Sequence, residues 1–168
     1  VMPLSEAHAL KRWADVVVRA IDSRSDPRTL DEWGRAVGVS RGALRNWCRT
    51  ARLSARRSLL FARALRAVIR QQQTQSLPED LLNIVDRRTL SKLLVASGGS
   101  TERLPRSIDE FFHRQRLVEN SHAVSVIASV IREKNLPQLV RNMSMKRDPS
   151  DGGSTDVSPN AAVKRSPA

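Results

Sequence analysis

RTLDEWGRAVGVSRGALRNWCRT, residues 28–50, holds two short helical periodicities separated by Gly38-Val39-Ser40. Thr29-Leu30-Asp31-Glu32 has the spacing of a capping box, in which the threonine hydroxyl and the glutamate carboxylate satisfy amides left open in a first turn. A helix is expected from there to about Val37. Ser40 can cap the next helix, which carries Leu44, Trp47, Cys48 and Ala51 on one face. A helix-turn-helix needs a buried seam, a small residue at the close approach, a turn that tolerates left-handed backbone and a polar outer face. Trp33, Val37, Val39, Leu44 and Trp47 supply the seam. Gly34 sits at the approach, and Gly38 takes a turn position where a side chain would clash.

Arg41, Gly42, Arg45, Asn46 and Arg49 fall at i, i+1, i+4, i+5 and i+8, away from the seam. That face would enter a major groove. Arginine donates two parallel hydrogen bonds to guanine and asparagine pairs with adenine, so Arg41, Arg45 and Asn46 are the expected base readers. Gly42 lets the backbone approach, Ser40 opens the helix, and Arg49 can serve bases or phosphate. Between residues 28 and 70, eleven arginines against Asp31 and Glu32 leave a local charge of +9, out of +12 for the whole chain. Such focusing suits phosphate contact, since binding strengthens as cations displace counterions. Thr29, Arg52, Arg56 and Arg57 are the expected phosphate contacts. The same pattern also fits an ordinary helical hairpin with a solvated basic rim. The stripe Arg56, Arg63, Arg66 and Arg70 reads either as a solvated face or as a surface for RNA or an acidic protein.

LDEWGRAVGVSRGALRNWCRTARLSARRSLLFARALRAV, residues 30–68, resembles the first helix-turn-helix and linking helix of AraC-type transcription regulators. In that family a short turn leads into a linking helix with a basic, then aliphatic pattern; TARLSARRSLLFARALRAV is similar, with Leu53 where a glycine is common. The resemblance implies a regulator that reads double-stranded DNA, in a bacterial nucleoid. Family members also carry a second helix-turn-helix with a Gly-Phe turn, which residues 86–118 lack. A single reading helix seldom supplies enough specific affinity, so a homodimer on two half-sites is the usual remedy. Either the first helix or the aliphatic stretch 124–131 could form that interface.

Around this element the chain reads as all-α. Its 168 residues, 40% of them hydrophobic, suffice for one sizeable core and favour a single helical domain of seven or eight helices with tails. Leu10, Trp13, Ala14, Val17 and Ile21 mark an N-terminal helix within residues 1–28. The AraC-like element spans 29–72, with Ser54 capping a long helix that fades near Gln71 to Gln75. In the helical region 73–145, Ser76 and Glu79 form a second capping box with Pro78 in the first turn, followed by EDLLNIV as a short helix. Asp86 caps the next helix, ended by Gly98-Gly99. Ser107 and Glu110 make a third box that opens FFHRQRLVE. Val124, Ile127, Ala128 and Ile131 mark a last helix, stopped by Asn135 to Pro137 and buried in the core or in a partner. Residues 146–168, rich in Pro, Ser, Gly and Asp, are expected to be a disordered tail.

The remaining residues argue mainly for exclusions. No glycine-rich phosphate loop, Gly-x-Ser-x-Gly elbow or paired-carboxylate constellation stands out, so neither catalysis, a cofactor nor a small-molecule ligand is expected. His8, His113 and His122 are scattered without metal-ligand spacing. Trp33 and Trp47 occupy seam positions and read as core rather than stacking platforms, and Cys48 as a buried small hydrophobe. With one cysteine, no secretory pattern at the start and no apolar run near the roughly 20 residues of a membrane span, a cytoplasmic, membrane-free protein is expected. The functional expectation is sequence-specific double-stranded DNA binding in transcriptional control. A helical adaptor for an acidic protein, or an RNA binder using the arginine face, is the rival.

Overall fold

The computed structural model describes the backbone of residues 5–145 and the side chains of residues 5–134. Among the described residues there are eight helices and no strand: α1 Glu6–Asp22, α2 Leu30–Val37, α3 Arg41–Thr50, α4 Ala55–Thr74, α5 Pro78–Leu82, α6 Arg87–Ala96, α7 Ile108–Arg114 and α8 Ser121–Met145. The fold is therefore all-α, as the periodicities imply. The tail expected over 146–168 lies outside the described residues. Residues as far as Lys134 form one body, and a separate unit starts at Asn135, within α8.

Local chemistry explains most helix starts. Ser5, Thr29, Ser40, Ser54, Asp86 and Ser107 each accept a hydrogen bond from the amide three residues on, satisfying a donor that the helix itself cannot reach. Two boxes share an extra feature. Glu32 accepts from the Arg28 amide at 2.7 Å and Glu110 from the Arg106 amide at 2.8 Å, so each carboxylate reaches one residue beyond the cap. The box expected at Ser76 does not form. Leu77 occupies the cap of α5 without a side-chain bond, and the Ser76 hydroxyl donates to Thr74 Oγ1 at 2.9 Å. The reason is Pro78, whose fixed φ and missing N–H suit the first helical position and thereby shift the cap one residue past Ser76.

The central helices are α1 and α4. α1 packs against α2, α3 and α4, while α4 also carries α5, α6 and α7. α4 is buried continuously over residues 61–68, and α1 buries nine residues including Trp13, Val16 and Val17. Trp13 meets Phe61 at 5.9 Å between ring centroids, and Phe61 meets Phe111 at 5.2 Å, both tilted, a geometry that aromatic quadrupoles favour. These rings tie α1, α4 and α7 together, each full burial contributing about 1.5–3 kcal/mol. Trp33 joins α2 to the same core, its indole N–H donating to the Val16 carbonyl at 3.1 Å.

Three expected boundaries move. Asn83, in left-handed backbone at φ 48°, ends α5 at Leu82, so Ile84 and Val85 lie outside the helix. α7 stops at Arg114 because the Gln115 side chain organises a turn, accepting from the Leu117 and Val118 amides and donating to the Val118 carbonyl. α8 starts earlier, at Ser121, and runs through Pro137 to Met145. An internal proline removes one backbone bond and kinks a helix without having to end it. α1 is also withdrawn as a dimer interface through its apolar side. Leu10, Trp13, Val17 and Ile21 are all buried in the core, and its exposed positions are mostly polar, such as Lys11, Arg12, Asp15 and Arg19.

Candidate nucleic-acid interface

The α2–α3 unit is built around its two glycines. A Cβ added to Gly34 would stand 2.5 Å from the Val39 carbonyl oxygen, so only glycine lets the turn fold back against α2. Gly38 works differently from the steric expectation, because a Cβ there would meet nothing within 4 Å. What it supplies is left-handed backbone at φ 74°, the αL cap that ends α2 and redirects the chain. Ser40 then accepts from the Ala43 amide at 3.1 Å and starts α3.

The seam forms largely as its periodicity implies. Trp33, Val37, Leu44 and Cys48 are buried, with Val39 and Trp47 half-buried at its edge. Cys48 Sγ lies 3.8 Å from Ser58 Oγ, and burial pushes its thiol above the usual range, only partly offset by that hydroxyl. Packed in this way, it is a small hydrophobe of the α3–α4 contact.

Ser40, Arg41, Gly42, Arg45, Asn46 and Arg49 are all exposed; Gly42, Asn46 and Arg49 face away from Leu44 and Cys48, whereas Arg41 and Arg45, three residues before Leu44 and Cys48 respectively, reach solvent from the edge of the seam. Arg45 has no polar partner among the described residues. Arg41 Nη1 lies 3.2 Å from Asp31 Oδ2, a half-exposed pair that contributes little to stability. Arg49 donates to Asn46 Oδ1 at 3.3 Å, which holds the asparagine amide beside a guanidinium on the open face. The face thus offers fork-shaped donors and one amide at helical spacing.

The flanking positions separate. Thr29 is exposed while capping α2, and Arg56 is exposed without an ion pair among the described residues. Arg52, 82% exposed and 3.8 Å from Glu6, sits in the α3–α4 turn at φ 57°. It therefore takes the left-handed backbone of this turn, one residue before Leu53, the position where a glycine is common in the AraC-type pattern. Arg57 is exposed but engaged, donating to Glu119 Oε1 at 3.0 Å and to the Arg116 carbonyl at 2.5 Å.

Past exposed Arg56, the arginine stripe along α4 is not a solvated face. Arg63 binds Asp26 Oδ2 at 2.8 Å, with both side chains 8% exposed, and donates to the Leu82 carbonyl at 2.7 Å. Arg66 donates to the Ser23 and Arg24 carbonyls, and Arg70 to Ser23. Arg66 and Arg70 thereby close the chain just past α1, where carbonyls lack helical partners and the helix dipole is negative, while Arg63 takes the last carbonyl of α5. Sequence reasoning missed this role because α4 is buried on nearly all sides. A hint was present in Asp26, an isolated carboxylate in a loop facing an arginine-rich helix.

α6 and α7 do not form a second helix-turn-helix. They are separated by residues 97–107, far longer than the three or four residues of a helix-turn-helix connection. The three histidines are exposed, and among the described residues no group of three or more His, Cys, Asp or Glu stands close enough to hold a metal ion. No helix among the described residues is long and apolar enough to cross a membrane. Comparison with protein-family models, curated proteins and solved structures finds no match to this chain.

Proposed function

We propose that this chain reads double-stranded DNA through α3 and acts as an AraC-like transcriptional regulator. The observation that carries the reading is the exposed set Arg41, Gly42, Arg45, Asn46 and Arg49 on one helix, mounted on a seam whose turn requires Gly34 and Gly38. Arg45 and Arg41 are the readers of guanine, and Asn46, steadied by Arg49, is the reader of adenine. Arg52 and Arg56 hold phosphates on either side of the groove, with Thr29 at the start of α2. One reading helix per chain makes a homodimer on paired half-sites the working assembly, at the nucleoid of a bacterial cytoplasm.

The test is selection of binding sites from random duplex DNA at near-physiological salt, with the Arg45→Ala/Asn46→Ala variant run in parallel. A motif that emerges for the native chain and fades for the variant is the expected result. Salt-dependent binding without a motif, or tighter binding to RNA or to an acidic protein than to DNA, overturns it.

A further inference from the structure

A cleft of about 930 Å³ lies between α5, the start of α6 and residues 101–102. It combines two features found together nowhere else among the described residues. First, among the described residues only three large hydrophobic side chains are strongly exposed, Leu77 at 58%, Val85 at 96% and Val95 at 46%, and the first two line this cleft. Second, Glu79, Asp80 and Glu102 line it against Arg87 as its single basic residue, and none of the three carboxylates has an ion-pair partner among the described residues. In a chain of net charge +12, this is an electronegative, apolar spot.

The exposure of Val85 is imposed by the backbone. Asn83 ends α5 in left-handed conformation, and Asp86 caps α6 by accepting from the Thr89 amide at 2.8 Å. Only Ile84 and Val85 remain between these fixed points. Ile84 packs against the core, which leaves Val85 outside. Leu77 is likewise held out, as the residue before buried Pro78. An apolar pair kept in water by rigid turns beside unpaired carboxylates has the form of a docking site.

We infer that this cleft binds a polypeptide segment that presents aliphatic side chains flanked by lysine or arginine. The aliphatic groups cover Leu77, Ile84 and Val85, and the cations pair with Glu79, Asp80 and Glu102. Nucleic acid is repelled by the same carboxylates. The basic face of α3 in a second copy supplies charge but exposes no large apolar side chain, so it matches only half of the surface. The inference stands independently of DNA reading.

The experiment titrates the full chain into a fluorescein-labelled twelve-residue peptide with leucines at helical spacing and lysines elsewhere, read by anisotropy. A second peptide keeps the lysines and carries serine for every leucine. Because the protein is strongly cationic, general electrostatics oppose both peptides, and any saturable binding reports a local site. Saturable binding of the leucine peptide alone is expected, weakened about tenfold or more by Val85→Asp and by Glu102→Lys. Both positions are exposed, so melting curves are expected to match the native chain; Val85→Thr, which keeps the shape, serves if Val85→Asp misfolds. Absence of saturable binding, equal binding of the serine peptide, or indifference to these substitutions overturns the inference. So does sedimentation showing self-association that Val85→Asp abolishes, since a second copy would then be the occupant.

Discussion

The arginines of α3 and those of the middle of α4 come from one basic stretch, yet they do opposite things. Arg41, Arg45 and Arg49 stand in water on a helix whose other side is sealed by Leu44 and Cys48. Arg63 and Arg66 are buried and spent on Asp26, on the last carbonyl of α5 and on the Ser23 and Arg24 carbonyls just past α1. The difference lies in how much of each helix the fold covers. α3 sits at an edge, with a whole face left over, whereas α4 is surrounded by α1, α2, α3, α5, α6 and α7, so its cations must find partners inside. A local charge of +9 therefore overstates the surface available to a polyanion.

The largest effect is expected from Arg63→Met. Removing one member of a buried pair leaves the Asp26 carboxylate uncompensated, and a loss of about 3–5 kcal/mol is expected in denaturant unfolding. The double variant Arg63→Met/Asp26→Leu should recover most of that loss. If Arg63→Met were neutral, the α4 arginines would have to be counted with the surface set. Gly34→Ala follows, at about 1–3 kcal/mol, because the added Cβ must displace the Val39 carbonyl and tilt α3. Its signature is a joint loss of stability and of binding.

Arg45→Ala and Asn46→Ala sharpen the contrast from the other side. Each is expected to cost about 1–3 kcal/mol of preference for the selected DNA site without moving the melting temperature. Arg56→Ala should weaken binding to all sequences alike and lower the salt slope by about one unit. Arg57→Ala should do less, since Glu119 and the Arg116 carbonyl already hold its guanidinium. Glu119→Gln should in turn raise non-specific affinity, as measured by filter binding across a salt series.

The smallest effect concerns Cys48. Burial raises its thiol above the usual range, so the folded chain keeps the proton that the unfolded chain loses. Its stabilising contribution is full below the ordinary thiol pKa and is lost as pH rises through the folded value. Stability above that range should therefore fall less steeply in Cys48→Ala than in the native chain, and alkylation of native Cys48 should stay far slower than in denaturant.

The helices, their caps at Thr29, Ser40, Asp86 and Ser107, and the seam of the α2–α3 unit could be read from sequence because each depends on residues within four positions of one another. The outward set of α3 was legible in part for the same reason: helical spacing turns Gly42, Asn46 and Arg49 away from Leu44 and Cys48, whereas the exposure of Arg41 and Arg45 beside the seam depends on what the fold leaves uncovered. Ser76 shows the limit of local reading, since Pro78 moved the cap by one residue against a matching motif. Which cations remain free, where Arg57 points, and that Val85 stays in water depend on long-range packing. Those outcomes turn on contacts such as Arg63 with Asp26 and Arg57 with Glu119, 37 and 62 residues apart. Periodicity fixes the direction of a side chain relative to its own helix. It carries no information on which distant segment the fold brings to meet it.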